Sequence, residues 1–417
     1  MAESSGKKSI AILGAGASGL YFLNYFKNIA NGDYSITVYE KLSSCGKKLT
    51  VTGNGKCNFT NLKLKQNNYD ECFNLYNLNN EKFELLKNVF ESHSVDNIIE
   101  FLDSIGLPSY DKESYVYPLC NQARIFRDIL YSNIDFSHVR IKENCKVCDI
   151  SYDNYKYIIK SSDDCETFDY CICALGSPAY YQDDKNNIKN IFKNLDINIL
   201  DFHPSLLPIK AIGVDGFLEN TSGVRTYSTL KLFINKKLIH KEEGELQLTK
   251  DYFSGIVAFN INSYISKYFS CGGSKDSIYI EIDFLPSYTE DKLKIEIEKR
   301  KKNFSKNKTD ELLYGLLNDK LAQEIIHISG NNTDEIIKNI KHFMIVPVQN
   351  NNFKNAQSSI GGVDVLEIDN KTLESKKYKN LFFAGECIDI DGLCGGYNLS
   401  FAFASSAVIA KHLASST

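Results

Sequence analysis

Hydrophobic positions fall into distinct regimes along the chain. Ser9 to Leu13 is a continuous apolar run bounded by glycines, which predicts a strand buried on both faces in a parallel sheet. Helical spacing follows from Ala17 to Ile29, and Tyr34 to Glu40 is a second strand, so the chain opens as a βαβ unit. The next helix of such a unit does not come. Lys41 to Asn61 is dense in Gly, Lys, Ser, Asn and Thr, and reads as a long ordered loop or a broken helix. Loops of that length inside compact domains are usually functional.

Residues 81–105 and 121–131 carry helical spacing, and 139–175 reads as a strand meander leading to the buried run Tyr170–Ala174 and a tight exit at Gly176. From Asp201 to Pro286 the pattern is β-rich, with turn signals at Asn235-Lys236 and Gly244; from Tyr288 to Lys341 it is helical and charged. A buried strand returns at Tyr378–Glu386, and Asn398–Leu413 predicts an apolar helix rich in Ala and Ser. The order predicts a domain built from both ends, 1–200 and 345–417, around an insert at 201–344 that is β-rich to residue 287 and helical from 288 to 344.

The length of 417 residues suits two domains, and 43% hydrophobic with 24% charged residues is a globular balance that excludes a disordered or fibrous chain. A net charge of −4 offers no global attraction to nucleic acid or anionic membrane. Asp291 to Lys308 is locally basic, eight basic against three acidic residues, and reads as a solvated helix face, with nucleic-acid contact as the alternative. Met1 to Lys8 is polar and no apolar run reaches bilayer length, which predicts no membrane span and a cytoplasmic protein. The twelve cysteines are scattered and read as reduced thiols. Cys145 and Cys148 have redox-dithiol spacing, but strand geometry sends residues three apart to opposite faces. The histidines show no metal-ligand grouping, and neither a Ser-His-Asp nor a P-loop pattern occurs.

The strongest chemical signal is Gly14-Ala15-Gly16-Ala17-Ser18-Gly19, placed between a strand and a helix. The first glycine permits the tight turn, the second lets the backbone approach a pyrophosphate, and the third brings helix and strand close. Helix N–H groups and the helix dipole then hold the phosphates. Glu40, at the end of the second strand and about 20 residues on, stands where a carboxylate accepts ribose hydroxyls. The motif fits NAD and FAD alike; the polar glycine loop after it, with closing elements only at the C-terminus, fits FAD better.

Further motifs carry a resemblance. Gly46 to Asn61 (GKKLTVTGNGKCNFTN), Tyr115-Val-Tyr-Pro118, His203 to Pro208, Gly244 to Thr249, Gly361-Gly-Val363, Leu381 to Glu386 and Gly395-Gly-Tyr-Asn-Leu399 resemble, in order, the segments of the aminoacetone oxidase and bile-acid 4,6-reductase-like NAD(P)/FAD-dependent oxidoreductases. That resemblance implies an α/β fold: a discontinuous Rossmann-like FAD-binding domain with an inserted β-rich domain carrying a helical subdomain. It implies that Glu386 holds the ribityl chain and that Gly395, Gly396, Tyr397, Asn398 and Leu399 lie beside the flavin pyrimidine. In the glycine loop, Lys47, Lys48, Thr52, Gly53, Asn54, Cys57 and Asn58 are expected near phosphate, ring or substrate. Lys41, Val147, Ala174, Leu175, Gly176, Gly361, Gly385 and Asp391 complete the expected cofactor set. Lys48, Asn58 and Tyr397 are the expected catalytic residues.

Departures from the family pattern gather near the expected cleft. Lys56 replaces Arg, Leu393 and Cys394 stand for Pro-Thr, Lys250 stands for His, and Tyr180 to Asp184 occupies the place of a glycine-rich stretch. They bear on substrate more than on cofactor. The expected function is hydride transfer between a small organic substrate and FAD. In one version NADH or NADPH reduces the flavin; in the other an amine such as aminoacetone does so and oxygen reoxidises it. A flavoprotein acting on or binding RNA, or a scaffold retaining FAD, are the readings from other classes.

Overall fold

A computed structural model describes residues 7–30, 33–65, 76, 78–180, 187–303, 311–330 and 332–415. The polar start up to residue 6, residues 181–184 and the end of the basic run at 304–308 lie outside the described residues. The chain divides into two compact units, residues 1–202 with 358–417, and residues 203–357.

The first unit is organised by a five-stranded sheet. Its strands are β1 (Lys8–Leu13), β2 (Tyr34–Tyr39), β3 (Val139–Lys142), β4 (Tyr170–Cys173) and β5 (Leu381–Phe383), in the order β5-β4-β1-β2-β3. All its pairings are parallel; Ile12 stands between Val38 and Ile172. Ile10 to Leu13 have no exposed surface, because layers on both faces cover a central parallel strand and its sequence must be apolar throughout. Two helices matter most: α1 (Ala17–Ile29) after β1 and α2 (Tyr397–Ser415) at the chain end. Almost every residue of α2 from Ser400 to Ala410 is buried, and its alanines and serines admit close neighbours.

The expected 139–175 meander is corrected at its start. Val139–Lys142 alternates like a hairpin strand yet joins β2 in parallel, and the antiparallel meander comprises only Val147–Asp153, Lys156–Ser161 and Cys165–Phe168. Asn154 and Tyr155, both at positive φ, make its two-residue turn. A smaller antiparallel sheet joins Thr60–Asn61 and Ser109–Lys112 to the two edges of Tyr115–Pro118. It anchors the end of the glycine loop.

The second unit holds a six-stranded sheet whose pairings are antiparallel, with Arg225–Ile234 and Lys237–Leu248 joined at Asn235 and Lys236, both at positive φ. Phe343–Pro347 pairs within it. Besides the short helix Asp215–Asn220, one long element breaks the β-rich expectation: Ile256–Ser270 is a helix. Its Ile, Val, Phe and Tyr content suggests strand, but Val257, Ala258, Ile261 and Ile265 recur at helical spacing and are buried in the unit's core. Helices Glu290–Asn303, Asp319–Ser329 and Thr333–Lys341 follow, as their charge pattern predicts. Among the described residues, no helix is long and apolar enough to cross a membrane.

Candidate functional site

The site is built where β1, β2 and β5 end, within the first unit. Gly14 has φ +101°, and a Cβ there would fall 2.4 Å from the carbonyl oxygen of Ala174. At Gly19 a Cβ would stand 2.2 Å from the carbonyl oxygen of Gly14, so this glycine lets α1 sit against the turn. Gly16 differs: nothing lies within 4 Å of its Cβ position. It caps α1 without a side-chain hydrogen bond, and the helix has no acidic residue in its first turn. Free N–H groups at Ala17 and Ser18, the positive end of a helix and open space together form an anion cradle.

Glu40 is 7% exposed, and each carboxylate oxygen accepts a backbone N–H, from Ala15 at 3.0 Å and Leu42 at 2.9 Å. Burial pushes its carboxyl up, and those two bonds oppose the shift. It therefore braces the glycine turn, while a carboxylate's remaining lone pairs can still take ribose hydroxyls.

The glycine loop is a fixed structure. Gly46 donates to the carbonyl of Ala15 at 2.7 Å, tying the loop to the turn. Gly53, Asn54, Gly55 and Cys57 all have positive φ, and Cys57 donates its N–H to Thr52 at 3.0 Å. Cys57 is fully buried, and burial pushes its thiol up to about 12, which removes it as a nucleophile at neutral pH. The side-chain amide of Asn58 faces the carbonyls of Val116 and Thr60, at 3.1 and 2.9 Å, a setting that its nitrogen satisfies as donor. Lys41, Lys47, Gly53, Asn54 and Lys56 are exposed, and Lys48 is half-buried.

Lys48 reaches the C-terminal half of the site, where its Nζ lies 2.6 Å from Oε2 of Glu386. The other oxygen, Oε1, is buried without a hydrogen-bond partner. Gly385, at φ +69°, leaves no room for a side chain against the Ser18 hydroxyl, and donates its N–H to Ser405 at 3.0 Å. Strand β5, helix α1 and helix α2 therefore meet at this one residue.

Between β5 and α2 runs the loop that the motif at 395–399 closes. Asn398 accepts the Gly392 N–H at 2.8 Å and donates to the Gly392 carbonyl at 2.9 Å, so its amide holds the loop. Gly395 and Gly396 have φ of +135° and +90°; a Cβ on Gly396 would strike the Thr60 carbonyl oxygen at 2.6 Å. Tyr397 is buried, Leu399 is half-buried, and Asp391 is buried. The N-terminus of α2 emerges here, aimed as an anion-stabilising end.

Gly361 donates to Asp389, itself paired with Lys82 at 2.6 Å, while Val147 is a buried position of the meander. Ala174 is buried; Leu175 and Gly176 are half-buried at the β4 exit. Several contributors lie outside the expected site set, although Thr60 and Asn61 close the Gly46–Asn61 motif. Asn61 donates to the Gly395 carbonyl, Thr60 bonds the Ser400 hydroxyl, and Tyr76 donates to the Tyr397 carbonyl. Only their place inside or beside the glycine loop hinted at them.

The residues present fit a flavin dinucleotide on two independent observations. Gly16 leaves a cradle that a Cβ would fill, and Glu386 offers a bare buried oxygen to a hydroxyl donor.

Comparisons with known proteins agree. A family model described as "HI0933-like protein Rossmann domain" matches residues 8–412. The chain is 26% identical over 409 residues to a 3-dehydro-bile acid delta(4,6)-reductase of Clostridium scindens, covering 95% of this chain and 96% of that one. It is 24% identical over 420 residues to a ribosomal RNA dihydrouridine synthase of Haemophilus influenzae, covering 95% and 96%. Among solved structures, 3-ketosteroid delta1-dehydrogenase from Sterolibacterium denitrificans shares the fold at a TM-score of 0.54 and 10% identity, covering 99% of this chain and all of that one. The E. coli quinol fumarate reductase FrdA does so at 0.52 and 13%, covering 99% and 71%.

Proposed function

This chain belongs to the HI0933-like family of Rossmann-domain proteins, and from that membership we propose that this FAD-dependent oxidoreductase reduces a carbon–carbon double bond conjugated to a carbonyl. One comparison carries the reading. A delta(4,6)-reductase of a 3-dehydro-bile acid and a dihydrouridine synthase have unlike substrates, but each name describes saturation of a ring double bond activated by a carbonyl. NADH or NADPH is the proposed electron donor, and a small organic molecule the proposed substrate.

FAD, when bound, supplies the hydride carrier. The chain's residues then divide the remaining work. The Gly14–Gly19 turn and the start of α1 would hold the diphosphate, and Glu386 would take a hydroxyl on Oε1. Asn398 fixes the Gly392–Gly396 loop, and the N-terminus of α2 would stabilise the negative charge of a reduced flavin held there. Tyr76, Tyr115 and Tyr397 surround Gly395 and its neighbour Gly392 and exclude water there. Tyr397 is proposed as an aromatic wall or a proton donor at the ring. Lys48 and Asn58 are proposed as positioning groups, since each spends its polar atoms on other parts of the protein.

A second reading is kept because of a specific observation: a relative with nearly full coverage is named for ribosomal RNA, and Lys294, Lys299 and Lys302 line a surface groove on one helix of the second unit. Anaerobic stopped-flow mixing separates the readings. Bleaching of the flavin by NADH or NADPH, followed by reoxidation with a 3-oxo-4,6-diene steroid, supports the proposal. Reoxidation only by unmodified ribosomal RNA transfers the substrate to RNA, and bleaching by aminoacetone but not by NAD(P)H replaces the reductase with an oxidase.

A further inference from the structure

The two oxygens of Glu386 have different surroundings, and the difference assigns a role to Lys48. Oε2 is held by the ammonium at 2.6 Å, across 338 residues of sequence, while Oε1 is buried and bare. Both ends of this pair are fixed. Lys48 follows Gly46, whose N–H is bonded to Ala15 and whose Cβ position is closed by Arg127 Cγ at 2.6 Å and Leu20 Cδ1 at 2.8 Å. Leu49, beside it, is buried and donates to the Gly46 carbonyl at 3.0 Å. Glu386 follows Gly385, which is wedged against Ser18 and bonded to Ser405.

From this geometry we infer that Lys48 is a positioning residue acting through Glu386: it pins Oε2, turns Oε1 to the ribityl hydroxyls, and cancels the carboxylate charge. A neutral polyol chain gains nothing from a net charge beside it, but gains a strong bond from an oriented ionised acceptor. The ammonium thus serves the cofactor without touching it. The inference rests on FAD being the ligand of this site.

The test is a binding cycle on apoprotein, with FAD itself as the probe and quenching of its fluorescence as the readout; melting curves without FAD confirm folding. Lys48→Met is expected to weaken binding about 10- to 100-fold, the size of a charged hydrogen bond, and Lys48→Arg to restore it to within about threefold. Because Lys48→Met leaves a carboxylate unpaired and could unfold the chain, the deciding comparison is between Glu386→Gln and the neutral double variant Lys48→Met with Glu386→Gln. Equal affinity of those two, within about twofold, supports the inference. A further loss of about tenfold or more in the double variant overturns it, since Lys48 would then act on FAD directly. Wild type that binds FAD but leaves enones untouched removes the proposed reaction and not this role; wild type that refuses FAD removes both.

Discussion

Asn61 donates from its side-chain amide to the carbonyl of Gly395 at 2.9 Å, and this bond helps join the glycine loop to the loop before α2. Asn61 is 1% exposed. Replacing it by Ala leaves a half-buried carbonyl without its donor, which costs about 1 kcal/mol. Asn61→Ala is expected to lower stability by that amount in urea melts and to weaken FAD affinity by about tenfold, because Gly395 lies beside the cofactor in this account. Unchanged affinity would place the Gly395 loop away from FAD.

Two neighbouring glycines should fail in different ways. An added Cβ at Gly19 meets the Gly14 carbonyl at 2.2 Å, whereas at Gly16 it meets nothing within 4 Å. Gly19→Ala should therefore destabilise the chain by about 2–4 kcal/mol, and Gly16→Ala should fold like wild type but lose FAD. Thermal melts of the apoproteins, followed by FAD titration, check both halves.

His93 makes stability depend on pH. Its Nε2 shares a hydrogen with the Tyr21 hydroxyl at 2.8 Å, its Nδ1 has no partner, and burial, then Lys411, holds its pKa down to about 3 from 6.5. The folded state binds a proton less readily than the unfolded chain, so this contribution is complete above pH 6.5 and is lost as pH falls toward 3. Below pH 6 wild type should lose up to about 1.4 kcal/mol more per pH unit than His93→Gln. Parallel urea melts of both proteins from pH 7.5 to 5 measure the difference.

Thiol reactivity should follow burial. Cys45 and Cys57 are buried and their thiols are pushed up to about 12, while Cys120, Cys148, Cys165 and Cys271 are exposed. Iodoacetamide at pH 8 on the native protein should label those exposed four and spare Cys45 and Cys57, as read by peptide mass spectrometry. Cys145 is buried and Cys148 exposed, so no disulfide between them is expected in the same maps.

Local physics wrote the nucleotide half of the fold plainly. Ser9–Leu13 had to be a doubly covered strand, α1 follows the helical spacing over Ala17–Ile29, and β2 ends one residue short of Glu40. Periodicity erred where composition and packing disagree. Ile256–Ser270 is rich in strand-favouring side chains, but its apolar positions lie on one helical face, and tertiary burial decides. Val139–Lys142 is too short for alternation to reveal which neighbour it pairs with. In the site, the glycine turn was readable because each glycine answers a local steric demand. The Lys48–Glu386, Asn61–Gly395 and Thr60–Ser400 partnerships were not, since they join residues more than 300 apart and depend only on the completed fold.

The central claim is that one FAD is held jointly by the Gly14–Gly19 turn and the Glu386–Tyr397 region. The most direct measurement is the absorption spectrum of purified protein, with the released chromophore identified and counted per chain. The account predicts a flavin spectrum, FAD at one per chain after reconstitution, and its loss in Gly16→Ala. Folded wild-type protein that is colourless and takes up no added FAD would contradict it.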